Sequence, residues 1–102
     1  MQEELRNVIH KFKLQQANSR TLETKISVIG WEFEKVISAK AIGDDIYIWA
    51  IMRKLRDYQN GDITLMVIPT GLRKFDMRFL EFVSTVWLDN GTDEIYHIFV
   101  RE

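Results

Sequence analysis

A chain of 102 residues with 46% hydrophobic and 28% charged side chains, no cysteine and a net charge of −1 has the makeup of one small globular domain spanning 1–102. The missing cysteines exclude disulfides, thiolate chemistry and the common zinc modules. Charges balance in each half, seven basic against seven acidic over 1–51 and seven against eight over 52–102, which argues against a polybasic nucleic-acid grip as the chain's main business.

No apolar run reaches the roughly 18 residues of a membrane span, and Met1 to Arg6 lacks the basic-then-apolar pattern of a secretory leader. A cytoplasmic protein away from membranes is expected. A domain this short hides only about 60–65% of its unfolded surface, so association into a homo-oligomer is expected as well.

Ile and Val number 19 against four Ala, a balance that favours pleated strands over helices. Val8 to Leu14 alternates His10, Phe12 and Leu14 against Lys11 and Lys13, as a half-buried strand does. After a polar turn over Gln15 to Arg20, Thr21 to Ile29 sets Leu22, Thr24, Ile26 and Val28 against Glu23, Lys25 and Ser27, and Gly30 ends it. The short connection predicts that these two strands form a hairpin. Trp31-Glu32-Phe33 repeats the alternation briefly, and Val36 to Ile42 reads as a third strand closed by the turn Gly43-Asp44-Asp45.

Ile46 to Met52 is apolar on both sides, the pattern of a central strand covered on both faces. The same stretch extended to Gln59 also has helical spacing at Ile48, Ile51, Met52, Leu55 and Tyr58, with Asn60-Gly61 as a C-terminal cap. Its branched and aromatic residues favour a strand, with a short helix over 52–59 as the alternative. Ile63 to Ile68 is a fifth strand stopped by Pro69, Thr70 to Arg78 a basic loop, and Phe79 to Leu88 a sixth strand. After the turn at Asp89-Asn90-Gly91, Glu94 to Arg101 supplies a seventh, which pairs with the sixth as a hairpin. The fold class is therefore all-β and mainly antiparallel, with about seven strands in a small sandwich or partly open barrel.

No nucleophile beside a base and no pair of carboxylates at catalytic spacing stands out, so a non-enzymatic protein is expected. Asp44-Asp45 reads as turn chemistry, while His10 and His97 fall on sets that look inward-facing and are expected to be hydrogen-bonded structural residues. The stretch Pro69 to Arg78 joins Thr70, Gly71, Arg73, Phe75 and Arg78 in one loop. Such a set can hold phosphate: glycine opens the backbone N–H groups, threonine donates, arginine forks to two oxygens and phenylalanine stacks on a base. A second basic cluster, Arg53-Lys54-Arg56, would complete an anion pocket if the fold brought it to that loop. Of the three tryptophans, Trp49 and Trp87 are expected in the core, and Trp31 beside Gly30 is a candidate interface or ligand contact.

Val8 to Leu14, Ile46 to Ile51, Thr70-Gly71 after a strand, Phe82 to Leu88 and Tyr96 to Phe99, in that order over 8–100, resemble a family of small phage-encoded all-β domains of unknown function. The resemblance implies a phage origin, life in the cytoplasm of an infected bacterium and a compact β fold, and it brings no catalytic residues and no cofactor. Small phage proteins of this kind often act stoichiometrically against host defence. The expectation is a homo-oligomeric sponge for a phosphorylated cyclic nucleotide, using Arg53, Arg56, Thr70, Gly71, Arg73, Phe75, Arg78 and Trp31, with no DNA or RNA duplex as partner. The alternative is an inhibitor that blocks a host defence protein by direct contact through Trp31 and an exposed strand edge.

Overall fold

The computed structural model describes residues 7–14, 23–56, 59–72, 77–88, 91 and 94–101. They form seven strands and no helix: β1 (Asn7–Leu14), β2 (Glu23–Ile29), β3 (Trp31–Ile42), β4 (Asp45–Lys54), β5 (Asn60–Pro69), β6 (Leu80–Trp87) and β7 (Ile95–Arg101). A three-stranded sheet of order β1-β4-β3 packs on a four-stranded sheet of order β2-β5-β7-β6, with every paired neighbour antiparallel. This is a sandwich and not a closed barrel, and the alternative helix over 52–59 does not form where it is described: residues 52–54 complete β4, 55, 56 and 59 are not helical, and 57 and 58 lie outside the described residues.

The organising unit is one long bent hairpin. Its tip is the turn at Gly43-Asp44, its upper arms pair as β3 with β4, and its lower arms pair as β2 with β5. The bend falls at Gly30, whose φ of +83° suits glycine, and where Gly30 N donates to Gln59 O while Leu55 N donates to Gly30 O, each at 2.9 Å. The expected β1–β2 hairpin does not form. β1 pairs with β4 instead, setting Val8, Phe12 and Leu14 opposite Met52, Ile48 and Ile46, so that two apolar rows meet on the inner face.

The core lies between the sheets. Leu14, Ile48, Met52, Leu65 and Ile98 are fully buried there, joined by Val36, Ala39, Ala41, Ala50, Val67 and Val86. β4 is central, as expected, but only its inner row is covered; Tyr47, Trp49 and Ile51 on the other face are half-exposed. The strand covered on both faces is β5. Its outer residues Met66 and Ile68 form a small second core with Phe99, under Leu72 and Leu80. β5 and β6 both run antiparallel to β7, and Leu72, three residues past the end of β5, packs on the outer face of this sheet.

Three further expectations change with this geometry. In β7 the core-facing set is Tyr96, Ile98 and Val100, so His97 lies on the outer face of its sheet. His10 does share the inner row of β1 with Val8, Phe12 and Leu14, opposite Ala50, but it is exposed there, against Phe12 and Trp31. Trp87 is 63% exposed rather than in the core, because its neighbour Val86, paired with Tyr96, takes the core-directed position and the alternation turns Trp87 to the other face.

Phe79, just before β6, carries a left-handed φ of +63° and a side chain 71% exposed. A β-carbon in that region costs roughly 1–2 kcal/mol, which asparagine tolerates better. Phe79→Asn is therefore expected to raise stability by about 1 kcal/mol in urea unfolding, since little burial is lost. A lowered midpoint would show instead that the ring is anchored.

Candidate functional site

The corner at Gly30 gathers three of the sequence candidates. Trp31 opens β3 opposite Lys54, half-buried, with its ring 5.4 Å from that of His10. Arg53 lies beside it on β4 and is ion-paired with Glu32 across the β3–β4 ladder. Arg56 follows, exposed. Thr70 and Gly71 are elsewhere: they leave the opposite end of β5, and the nine residue steps from Gly61 to Thr70 span about 30 Å of extended strand. Arg78 precedes β6, the far edge of the four-stranded sheet, and Arg73 and Phe75 lie outside the described residues. The corner cluster and Thr70 therefore do not line one pocket.

Thr70 also has a partner already. Its hydroxyl is 2.8 Å from Nε2 of His97, and the Thr85 hydroxyl is 2.9 Å from Nδ1 of the same ring. A neutral imidazole donates from one nitrogen and accepts at the other, so both hydroxyls are satisfied in either tautomer. This row has the connectivity of nucleophile, base and orienting group. Its third member is a neutral hydroxyl, which lacks the charge that stabilises an imidazolium, so the row acts as a tie between β5, β7 and β6. On the preceding residue, burial first and then the Glu94 carboxylate, 3.5 Å away, push the Tyr96 hydroxyl above its usual 10.0.

A groove of about 430 Å3 opens where the edges of the two sheets, β3 and β6, approach each other. Both edges are bulged there, between Phe33 and Lys35, Val36 and Ser38, and Phe82 and Ser84, which twists exposed edges out of pairing geometry. Glu34, Asp62 and Glu81 line it against the single cation Lys35. Three carboxylates against one ammonium repel phosphate, and among the described residues no three His, Asp or Glu cluster closely enough to hold a metal ion.

The outer face of the three-stranded sheet has the opposite character. Its central row, on β4, reads Tyr47, Trp49, Ile51 and Arg53. Register places Lys13 and Lys40 on either side of Tyr47, and Lys11 and Ser38 on either side of Trp49. Lys35 stands opposite Ile51, at the groove's rim. Five cations thus share a face with two acids, and each acid is committed: Asp45 to Lys13 at 3.4 Å, Glu32 to Arg53. Lys40 makes no ion pair among the described residues, and Lys11 holds its Nζ 4.9 Å over the Tyr47 ring. At an exposed site that cation–π contact contributes only about 0.5–1 kcal/mol, so a stacking ligand can displace it.

Sequence reasoning had the alternation of Lys11 and Lys13 but not this site. Nothing local in the sequence sets them beside Tyr47 and Trp49, because that neighbourhood depends on β1 pairing with β4. Comparison of the chain with protein-family models, with curated proteins and with solved structures gives no match.

Proposed function

We propose that this chain is a non-catalytic binding protein for phosphorylated nucleotides, and that it holds them on the outer face of the three-stranded sheet. One observation carries the reading: Tyr47 and Trp49 stand half-buried on the sheet's outer face, in a row flanked by Lys11, Lys13 and Lys40. Aromatic faces stack on bases, and ammonium groups at the flanks meet phosphate oxygens. In the phage setting that the sequence resemblance implies, such binding would sequester a cyclic nucleotide signal of host immunity. Of the residues expected from sequence and described in the structure, Arg53 lies on this face, and a phosphate would compete there with Glu32.

A second reading rests on its own observation. Phe82 and Trp87 on β6, the edge strand of its sheet, are 56% and 63% exposed, and Phe79 just before the strand is 71% exposed; exposed apolar side chains along a sheet edge mark a protein contact. That edge would serve homo-oligomer assembly or a host protein target.

Native mass spectrometry of the protein with a panel of cyclic di- and trinucleotides and cyclic ADP-ribose isomers tests the first reading. Retention of an intact nucleotide is expected, with at least tenfold weaker binding in Lys11→Ala/Lys40→Ala, because a hydrogen bond to a charged group contributes roughly 1.5–3 kcal/mol. No nucleotide bound across the panel, or unchanged binding in the folded double variant, rejects it.

A further inference from the structure

The geometry points to a single-stranded oligonucleotide as a ligand of this face, an inference that rests on the nucleotide-binding reading and extends it. Tyr47 and Trp49 are two residues apart on one strand, so their rings leave the sheet about 7 Å from each other. Two bases splayed from neighbouring nucleotides can each take one ring. The row continues through Ile51 to Arg53, six residue steps or about 20 Å from Tyr47, which is longer than one nucleotide covers.

Cations flank the row on both sides, Lys11 and Lys13 on β1 and Lys40 on β3, so a phosphate backbone meets positive charge on whichever side it runs. A chain with net charge −1 sets five cations against two acids here, a surplus of three, although Lys13 and Arg53 are those acids' partners and Lys35 stands at the rim of the acidic groove. Duplex nucleic acid hides its base faces in the stack, and this face projects no helix or ribbon to enter a groove. A protein partner is disfavoured by the lysines, which are depleted at the centres of protein interfaces. What remains is a strand with unpaired bases.

The test is fluorescence anisotropy of a labelled ten-residue oligothymidylate with the full chain at 50 mM salt, repeated over a salt series. Unlabelled duplex, thymidine monophosphate and cyclic di-AMP serve as competitors. Binding of the single strand should exceed that of the monophosphate and the duplex, with log K falling against log salt at a slope of about −2, as expected for about three phosphate contacts. Trp49→Ala should weaken it about tenfold or more and Trp49→Phe should restore most of it, since stacking needs only an aromatic face. Trp87→Ala, in the other sheet, should leave it unchanged. Lys11→Gln/Lys40→Gln should flatten the salt slope by about 1.4.

No binding of the single strand, with a cyclic nucleotide still retained in native mass spectrometry and weakened in Lys11→Ala/Lys40→Ala, would overturn the oligonucleotide and leave the nucleotide reading standing. No binding of the single strand and none across the nucleotide panel would overturn both. Equal binding of duplex, or a folded Trp49→Ala variant with unchanged affinity, would remove the stacking face.

Discussion

Gly61→Ala is expected to cost more than about 3 kcal/mol and to leave much of the chain unfolded at room temperature. A β-carbon at Gly61 would overlap the carbonyl oxygen of Trp31 and stand 2.8 Å from the α-carbon of Glu32. Both are backbone atoms of β3, so no rotamer change relieves the overlap, and the corner of the long hairpin has to open. Inserting a methylene into a packed core costs roughly 1–3 kcal/mol when side chains can shift; here they cannot, which puts the loss at or beyond the top of that range. A small domain has only about 5–15 kcal/mol in total. Gly43→Ala is the control: its φ of +62° makes alanine strained by roughly 1–2 kcal/mol, but nothing lies within 4 Å. Urea unfolding of both variants checks the ranking, and a Gly61→Ala protein within 1 kcal/mol of the parent would mean that β3 does not press on β5 as described.

Ile98→Ala should be the next most damaging change, at about 2–5 kcal/mol. Ile98 is fully buried at the middle of β7, paired with Val67 of β5 on one side and Ser84 of β6 on the other, and it faces the inter-sheet core. Truncation removes transfer free energy and leaves a cavity that three hydrogen-bonded strands cannot collapse to fill. For a domain of this size each kcal/mol corresponds to about 4–8 °C, so a thermal melt should fall by more than about 8 °C. Ile9→Ala, 60% exposed on β1, should stay within about 0.5 kcal/mol of the parent. Equal effects at the two positions would contradict the assignment of inner and outer faces.

Strand positions were legible in the sequence because alternation is a property of the strand alone. Val8 to Leu14 and Thr21 to Ile29 each show it, and β1 and β2 fall where it points, while β5 was legible as the apolar run Ile63 to Ile68 stopped by Pro69. Which set faces inward was harder. Ile95, His97 and Phe99 read as apolar as Tyr96, Ile98 and Val100, and only the second sheet distinguishes them. Gly61 was misleading for a related reason: Asn60-Gly61 has the composition of a cap or turn, yet the glycine sits inside β5 because another backbone needs the space of its side chain.

The site divides in the same way. Local sequence grouped Arg53 with Arg56, and Thr70 with Gly71, since neighbours in the chain stay neighbours in space. It could not tell that Thr70 would be tied to His97, 27 residues away, or that Arg53 would be held by Glu32. Charge balance along the chain argued against a basic grip, and the balance is real, but a sandwich sorts charges by face rather than by sequence.

By itself the sequence determined an all-β chain, its strands, its turns and the absence of thiol chemistry, because these follow from residue types and a period of two. Strand pairing, the covered faces of β5, the clash-limited corner and the meeting of Lys11 and Lys13 with Tyr47, Trp49 and Lys40 were decided only by the tertiary structure. Backbone hydrogen bonding carries no sequence label, so partners are chosen by which apolar rows can be buried together, and that choice belongs to the whole chain.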